Sequence, residues 1–306
     1  MWKLRLISHN TKINFLRFRW LSLGLSLLLV LASIALVSVK GLNFGIDFKG
    51  GTLIEINTKT PANIADLRAK LNTLGLGEVS IQQFGAPNDV LIRLALQGED
   101  AKGDLASVAK VREKLGDSVE FRRVEIVGPK VSGELIQSGT IAVLLAIILM
   151  LLYIWLRFEW QFSVGAVIAL MHDVILTIGI FSVLQLDFGL PILAAILTIV
   201  GYSMNDTVVV YDRVRENLRK YKRMDLLELL NLSINATLSR TVMTSVTTLL
   251  ALISLYTLGG EVIRGFTFAM IWGVVIGTYS SIFIAAPLLV FLGRKNRLRS
   301  RKQQEG

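Results

Sequence analysis

Apolar residues along this chain gather into runs of bilayer length. The first, Trp20 to Val39, sits between Arg19 and Lys40. At about 20 residues it can cross a hydrocarbon core and exceeds the about 7–15 residues of a signal-peptide core, and no small-residue cleavage site stands out, so it reads as an uncleaved signal-anchor. Five more runs follow: 138–156, 162–184, 189–211, 240–258 and 265–291. The gaps at 157–161, 185–188 and 259–264 are short, which makes successive helices antiparallel neighbours. The pattern predicts a polytopic α-helical membrane protein with six transmembrane helices.

Residues 40–137 are too polar to span and show shorter periods. Thr52 to Ile56 alternates as a strand does, and Asn63 to Leu74 reads as a helix that starts just after Pro61. Val79 to Phe84 and Val90 to Leu96 read as two strands joined through Gly85–Asp89. Asp104 to Leu115 is a second helix and Val119 to Val127 a last strand. The order βαββαβ predicts a small ferredoxin-like α+β domain between spans one and two. It contains no nucleophile–base set, no cluster of metal ligands and no phosphate loop. It therefore reads as a binding or lever domain without chemistry of its own, with no enzyme activity, metal or cofactor expected.

Composition fits this picture: 53% of the 306 residues are hydrophobic and the mean hydropathy is +0.58. With no cysteine, disulfides and thiolate metal sites are excluded, and the histidines are His9 and His172. The net charge of +10 could suggest nucleic acid, but its distribution argues against that partner. Residues 40–137 hold 13 Lys/Arg against 13 Asp/Glu, while Lys3, Arg5, Lys12, Arg17 and Arg19 precede the first span and Arg294, Lys295, Arg297, Arg299, Arg301 and Lys302 follow the last. The positive-inside rule then puts residues 1–19 and the basic tail 292–306 in the cytoplasm, with 40–137 outside. The connection 212–239, with Arg213, Arg215, Arg219, Lys220, Lys222 and Arg223, falls to the cytoplasm as well. Within it Val214, Leu218 and Tyr221 share one helical face, which predicts a helix lying along the membrane surface.

The candidate chemistry lies inside the membrane. Gly201-Tyr202-Ser203-Met204-Asn205-Asp206-Thr207 opens deep in an apolar run and carries a carboxylate through it. A charge there costs about 2.5–3.5 kcal/mol on insertion scales, which marks Asp206 as functional by default. Arg240, at the cytoplasmic start of the next helix, is within reach of Asp206 if the two helices are neighbours. Their pairing admits two roles: an ion pair that only fixes packing, or a carboxylate that loads and unloads a proton while Arg240 tunes it. His172 and Asp173, near the middle of the third span, admit the same choice between proton relay and interhelical hydrogen bonding. Asn205, beside the carboxylate, is a further candidate. Thr241, Thr244, Ser245 and Thr248 share one face of the fifth span, suited to close packing or to a water file. Gly273, Gly277, Ser280 and Ser281 repeat the small-residue pattern in the sixth, with Pro287 predicting a kink.

Four motifs in order resemble the SecD/SecF family of bacterial protein-export membrane proteins, in its SecF branch. They are Gly45-Ile46-Asp47-Phe48-Lys49-Gly50-Gly51-Thr52, Met171-His172-Asp173, Gly201 to Arg213, and Asn235-Ala236-Thr237-Leu238-Ser239-Arg240-Thr241. That resemblance covers nearly the whole chain. It implies a subunit of the Sec translocase accessory complex, paired with SecD and associated with SecYEG, SecA and YajC. It also implies kinship with the resistance-nodulation-division transporters, and proton-driven movement of the external domain on an emerging, unfolded preprotein. By motif, Asp206 and Arg240 become the proton-transport residues, with H⁺ as coupling ion and Na⁺ as the alternative. A half-size small-molecule exporter of the same superfamily is the rival reading, against which the outside domain of about 98 residues is small. One six-span half would leave the polar faces of spans four to six toward lipid, so a partner half is expected on physical grounds too.

Overall fold

The computed structural model describes residues 11–77, 79–96 and 101–292. His9, Lys3, Arg5 and the basic tail lie outside the described residues. In chain order the elements are α1 (Arg19–Lys40), β1 (Asn43–Phe44), α2 (Ile46–Lys49), β2 (Gly51–Thr58), α3 (Ile64–Asn72), β3 (Val79–Gln83), β4 (Asp89–Leu94), α4 (Ala101–Leu115) and β5 (Val119–Val127). There follow α5 (Pro129–Arg157), α6 (Trp160–Leu184), β6 (Asp187–Phe188), α7 (Leu190–Lys220), α8 (Leu226–Leu258) and α9 (Arg264–Ser280). The last helix continues through a π turn over Ser281–Ala285, just ahead of Pro287. A proline cannot complete the regular backbone ladder of the preceding turn, and the wider turn absorbs that break. The chain divides into a helical unit and a second unit made of residues 43–142 together with 187–190.

The helical unit has a buried apolar core around Phe158, Phe162, Tyr211 and Leu229, but its first helix is inside out compared with a helix of a water-soluble bundle. Of α1, the buried positions are Ser22, Ser26 and Ser33, whereas Trp20, Leu21, Leu28 and Leu31 face outward. In lipid a leucine gains little by turning inward, so helices associate through small residues and interhelical hydrogen bonds. Ser33 occupies the space a Cβ at Gly179 of α6 would take, Ser182 donates to the Gly41 carbonyl at 2.7 Å, and Ser22 donates to the Phe283 carbonyl at 3.2 Å. Among the described residues, six helices are long and apolar enough to cross a membrane.

α7 and α9 touch along a stripe of small and hydrogen-bonding residues. Ile199 fills the place of a Cβ at Gly273, and Ser203 packs on Gly277. Thr207 and Ser281 share a hydrogen bond of 2.9 Å, and the Tyr211 hydroxyl donates to the Ala285 carbonyl at 3.0 Å. Both helices advance by four residues at each step of this ladder, so they run parallel and touch along one stripe. Tyr211 is fully buried against Phe158 and Phe162.

The connection between the fourth and fifth spans differs from expectation. Its first part is helix, as the pattern predicts, but it prolongs α7 without a break to Lys220. α8 already begins at Leu226, capped by the Asp225 side chain accepting from the Leu227 N–H at 2.9 Å. Only residues 221–225 remain as a turn, because Asn217 Nδ2 donates to Ser233 Oγ at 2.9 Å and ties the two helical extensions together.

In the second unit the βαββαβ order is present, and the four long strands form one antiparallel sheet in the order β3-β4-β2-β5. Alternate residues Ile54 and Ile56, Val90 and Ile92, and Ile81 bury one face under Leu67 and Leu71 of α3 and Val111 and Leu115 of α4. The Asn63 side chain caps α3 by accepting from the Asp66 N–H at 3.2 Å, which starts that helix where the sequence places it. β1 and β6 make a separate two-stranded parallel ribbon, with Asn43 opposite Asp187 and Phe44 opposite Phe188.

Candidate functional site

Among the described residues of the helical unit two carboxylates are buried, and their surroundings differ. Asp173, on α6, is fully buried. Its Oδ1 is 2.9 Å from His172 Nδ1, while its Oδ2 accepts from Ser203 of α7 at 2.5 Å and from Ser280 of α9 at 2.7 Å. Its backbone carbonyl accepts from Thr177 at 2.8 Å. Three helices are thus joined at one charge whose lone pairs are well used, and the His172 ring lies against Tyr279 with centroids 6.2 Å apart. This arrangement suits a packing junction. Ser203 and Ser280 are its hydrogen-bond partners from the other two helices, and the sequence marks Ser280 only as a small residue suited to close packing. No periodicity links it to a carboxylate 107 positions away.

Asp206 lies at the middle of α7 and is 3% exposed. Its Oδ2 is buried and has no hydrogen-bond partner among the described residues. Arg240, on α8, acts on it electrostatically, yet no ion pair within 4.0 Å joins them. The direct contact that the spacing allows is therefore not formed. A buried carboxylate oxygen without a donor is costly, and binding a proton or a cation relieves that cost. A cation held near but not on the carboxylate leaves it free to do so.

Around this pair, Asn205 and Arg240 are exposed although both belong to membrane-crossing helices. Thr244 turns back on its own helix, donating to the carbonyls of Arg240 and Thr241. Thr248 meets the Tyr202 hydroxyl at 3.5 Å, a weak link between α8 and α7. Ser245 shares a 2.7 Å hydrogen bond with Thr278, which fastens α8 to α9, while Thr241 Oγ1 is buried without a partner. At the end of the span, Arg157 of α5 forks onto both oxygens of Asp212 at 3.0 Å. No group of three or more metal-ligating side chains occurs among the described residues.

Comparison with known proteins agrees with these features. Residues 107–295 match the family model for the protein export membrane protein SecD/SecF, C-terminal, and residues 35–62 match the SecD/SecF GG motif. The chain is 48% identical to the protein translocase subunit SecF of Rhodobacter capsulatus, over 95% of this chain and 92% of that one. It is 44% identical to the corresponding subunit of Rickettsia akari, over 96% and 97%. Among solved structures, it resembles SecDF, a translocon-associated membrane protein from Thermus thermophilus, with a TM-score of 0.86 and 36% identity over 94% of this chain. The chain spans 40% of the length of that protein. A second SecDF structure, in the super-membrane-facing form, matches with a TM-score of 0.71 and 36% identity over all of this chain and 41% of the other. With six membrane-crossing helices and these likenesses over nearly its full length, the chain is a multi-pass membrane protein and belongs to the SecD/SecF family of protein export membrane proteins.

Proposed function

We propose that this chain is the SecF-type subunit of a protein translocase accessory complex, and that it uses the proton-motive force to promote translocation and release of preproteins across the bacterial inner membrane. Its partner is a SecD-type chain, and the pair works beside SecYEG, SecA and YajC on unfolded preproteins. The chain is not an enzyme and needs no cofactor; the coupling ion is H⁺, with Na⁺ as the alternative for the same carboxylate. Both termini are cytoplasmic and residues 40–137 periplasmic, a topology supported by Arg157, Arg213, Arg215, Arg219, Lys220, Lys222 and Arg223 at one end of the spans.

The observation that carries this reading is Asp206, buried at the middle of α7 with an unpaired oxygen and with Arg240 nearby but unbonded. Protonation removes the attraction to Arg240, and loss of the proton restores it. Helix positions that differ in this attraction are then biased by proton occupancy. Exposed Arg240 and Asn205 within the spans support a partner half that covers them. The fraction of the Thermus SecDF chain that this one spans supports the same partnership.

Replacing Asp206 with Asn tests the proposal. The complex is expected to assemble normally and to lose the enhancement of export by the proton gradient. Full retention of that enhancement would refute the reading.

A further inference from the structure

The motif Asn235–Thr241 supplies Arg240 to the site, but its first residue is engaged elsewhere. Asn231 and Asn235 stand one turn apart on α8, ahead of the apolar run 240–258. Each side-chain amide commits one hydrogen to its own helix: Asn231 Nδ2 donates to the Leu227 carbonyl at 3.0 Å and Asn235 Nδ2 to the Asn231 carbonyl at 2.8 Å. These bonds orient both amides and leave one N–H and one oxygen of each to face a second partner. That partner is the segment just before α1. Asn235 Oδ1 accepts from the Ile13 N–H at 3.0 Å while its Nδ2 donates to the Ile13 carbonyl at 2.8 Å, so one side chain pairs with the backbone as a neighbouring strand would. Asn231 Oδ1 accepts from the Leu16 N–H at 3.1 Å, and its Nδ2 donates to Asn14 Oδ1 at 3.1 Å.

The segment so gripped is itself fixed. Leu16 is 1% exposed, in the apolar core that also holds Leu230 and Ile234. Phe15 meets the Phe283 ring edge-on, with centroids 5.9 Å apart. Asn14 Oδ1 also accepts from the Arg17 N–H at 3.1 Å, and the Arg19 guanidinium donates to the Leu16 carbonyl at 3.1 Å. Residues 13–16 therefore anchor the start of α8.

The position of this anchor matters for Arg240. Asn235 precedes Arg240 by about 7.5 Å of helix, at 1.5 Å per residue, and Ser245 follows it by the same length. Ser245 is tied to Thr278 of α9. Between these ties Thr237 and Thr244 bond back onto α8, and Thr241 Oγ1 has no partner among the described residues. Arg240 thus sits midway along a stretch held at its two ends. Rotation or sliding of that stretch is the motion that brings its guanidinium onto Asp206 or carries it away, and Arg240 is the charged group that acts on Asp206. Because both amides are already locked to the helix, such motion requires their bonds to the anchor to break together.

We propose that Asn231 and Asn235 are positioning residues for Arg240: by holding α8 to the backbone of residues 13–16, they keep the guanidinium near the Asp206 carboxylate but out of bonding range. Neither touches the ion. This role rests on the reading of Asp206 as the ion-carrying group.

The test is gradient-driven proton uptake by the complete complex in vesicles, measured across pH. Asn235→Ala and Asn231→Ala are each expected to keep uptake but to move the pH of half-maximal uptake by about half a unit, a roughly threefold change in proton occupancy, because the cation beside the carboxylate is no longer held at one distance. Ser182→Ala removes a hydrogen bond to the Gly41 carbonyl, away from this anchor, and is expected to leave that midpoint in place. Asp206→Asn is expected to lose uptake; if it does not, the ion-carrying reading fails whatever the asparagines do. The positioning role is overturned if either assembled single variant keeps the unsubstituted midpoint, if Ser182→Ala moves it as far, or if neither asparagine variant assembles into a complex that takes up protons.

Discussion

Asp173 and Asp206 are both carboxylates buried among membrane-crossing helices, but one is surrounded by donors and the other is not. Asp173 takes Ser203, Ser280 and His172 from three helices and leaves little capacity unused. Asp206 keeps an oxygen without a partner while a guanidinium stands near it out of bonding range. The difference teaches that a charge inside a span does not by itself mark transport. A satisfied carboxylate fixes structure, and an unsatisfied one has an equilibrium left to respond with.

The sharpest way to break this comparison is to delete each carboxylate and measure thermal unfolding of the complex in detergent. Asp173→Ala leaves two serine hydroxyls and an imidazole without their acceptor and is expected to lose about 2–3 kcal/mol. Asp206→Ala removes no hydrogen bond and is expected to unfold no earlier than the unsubstituted complex. Equal losses for the two variants would erase the distinction.

Next in size is the ladder that holds Ser203 under Asp173. In Gly273→Leu the new side chain starts where Ile199 already sits, and overpacking of this kind costs about 1–3 kcal/mol. Because the strain separates α7 from α9, the variant is expected to lower the unfolding temperature and to weaken the Ser280 contact with Asp173. Hydrogen exchange of the Ser280 turn reads this out, and unchanged protection would count against the ladder. The smallest effect is expected at Ser245→Ala. It removes one hydroxyl pair with Thr278 and should cost about 0.6 kcal/mol, the average for such bonds in membranes.

Much of this was legible in the sequence, for physical reasons. Each span appears as an apolar run because lipid demands it, and a carboxylate inside such a run is conspicuous. The elements of the second unit follow from period and caps, as at Asn63, and the last strand, Val119–Val127, has the bounds its pattern predicts. Helix ends were less legible. The fifth span reads as 240–258 while α8 starts at Leu226, because hydropathy reports where a helix meets an apolar medium and not where its backbone bonding begins. The partners of Asp173 were hidden because serine in a membrane helix looks the same whether it packs or bonds. The missing bond between Asp206 and Arg240 was equally invisible, since spacing gives reach and not contact.

The most direct test of the central claim is ion flux into vesicles containing this chain and its partner, with proton and sodium gradients imposed one at a time. The account predicts proton flux that disappears in Asp206→Asn and persists in Asp173→Asn. An Asp206→Asn complex that conducts as the unsubstituted one does would contradict it.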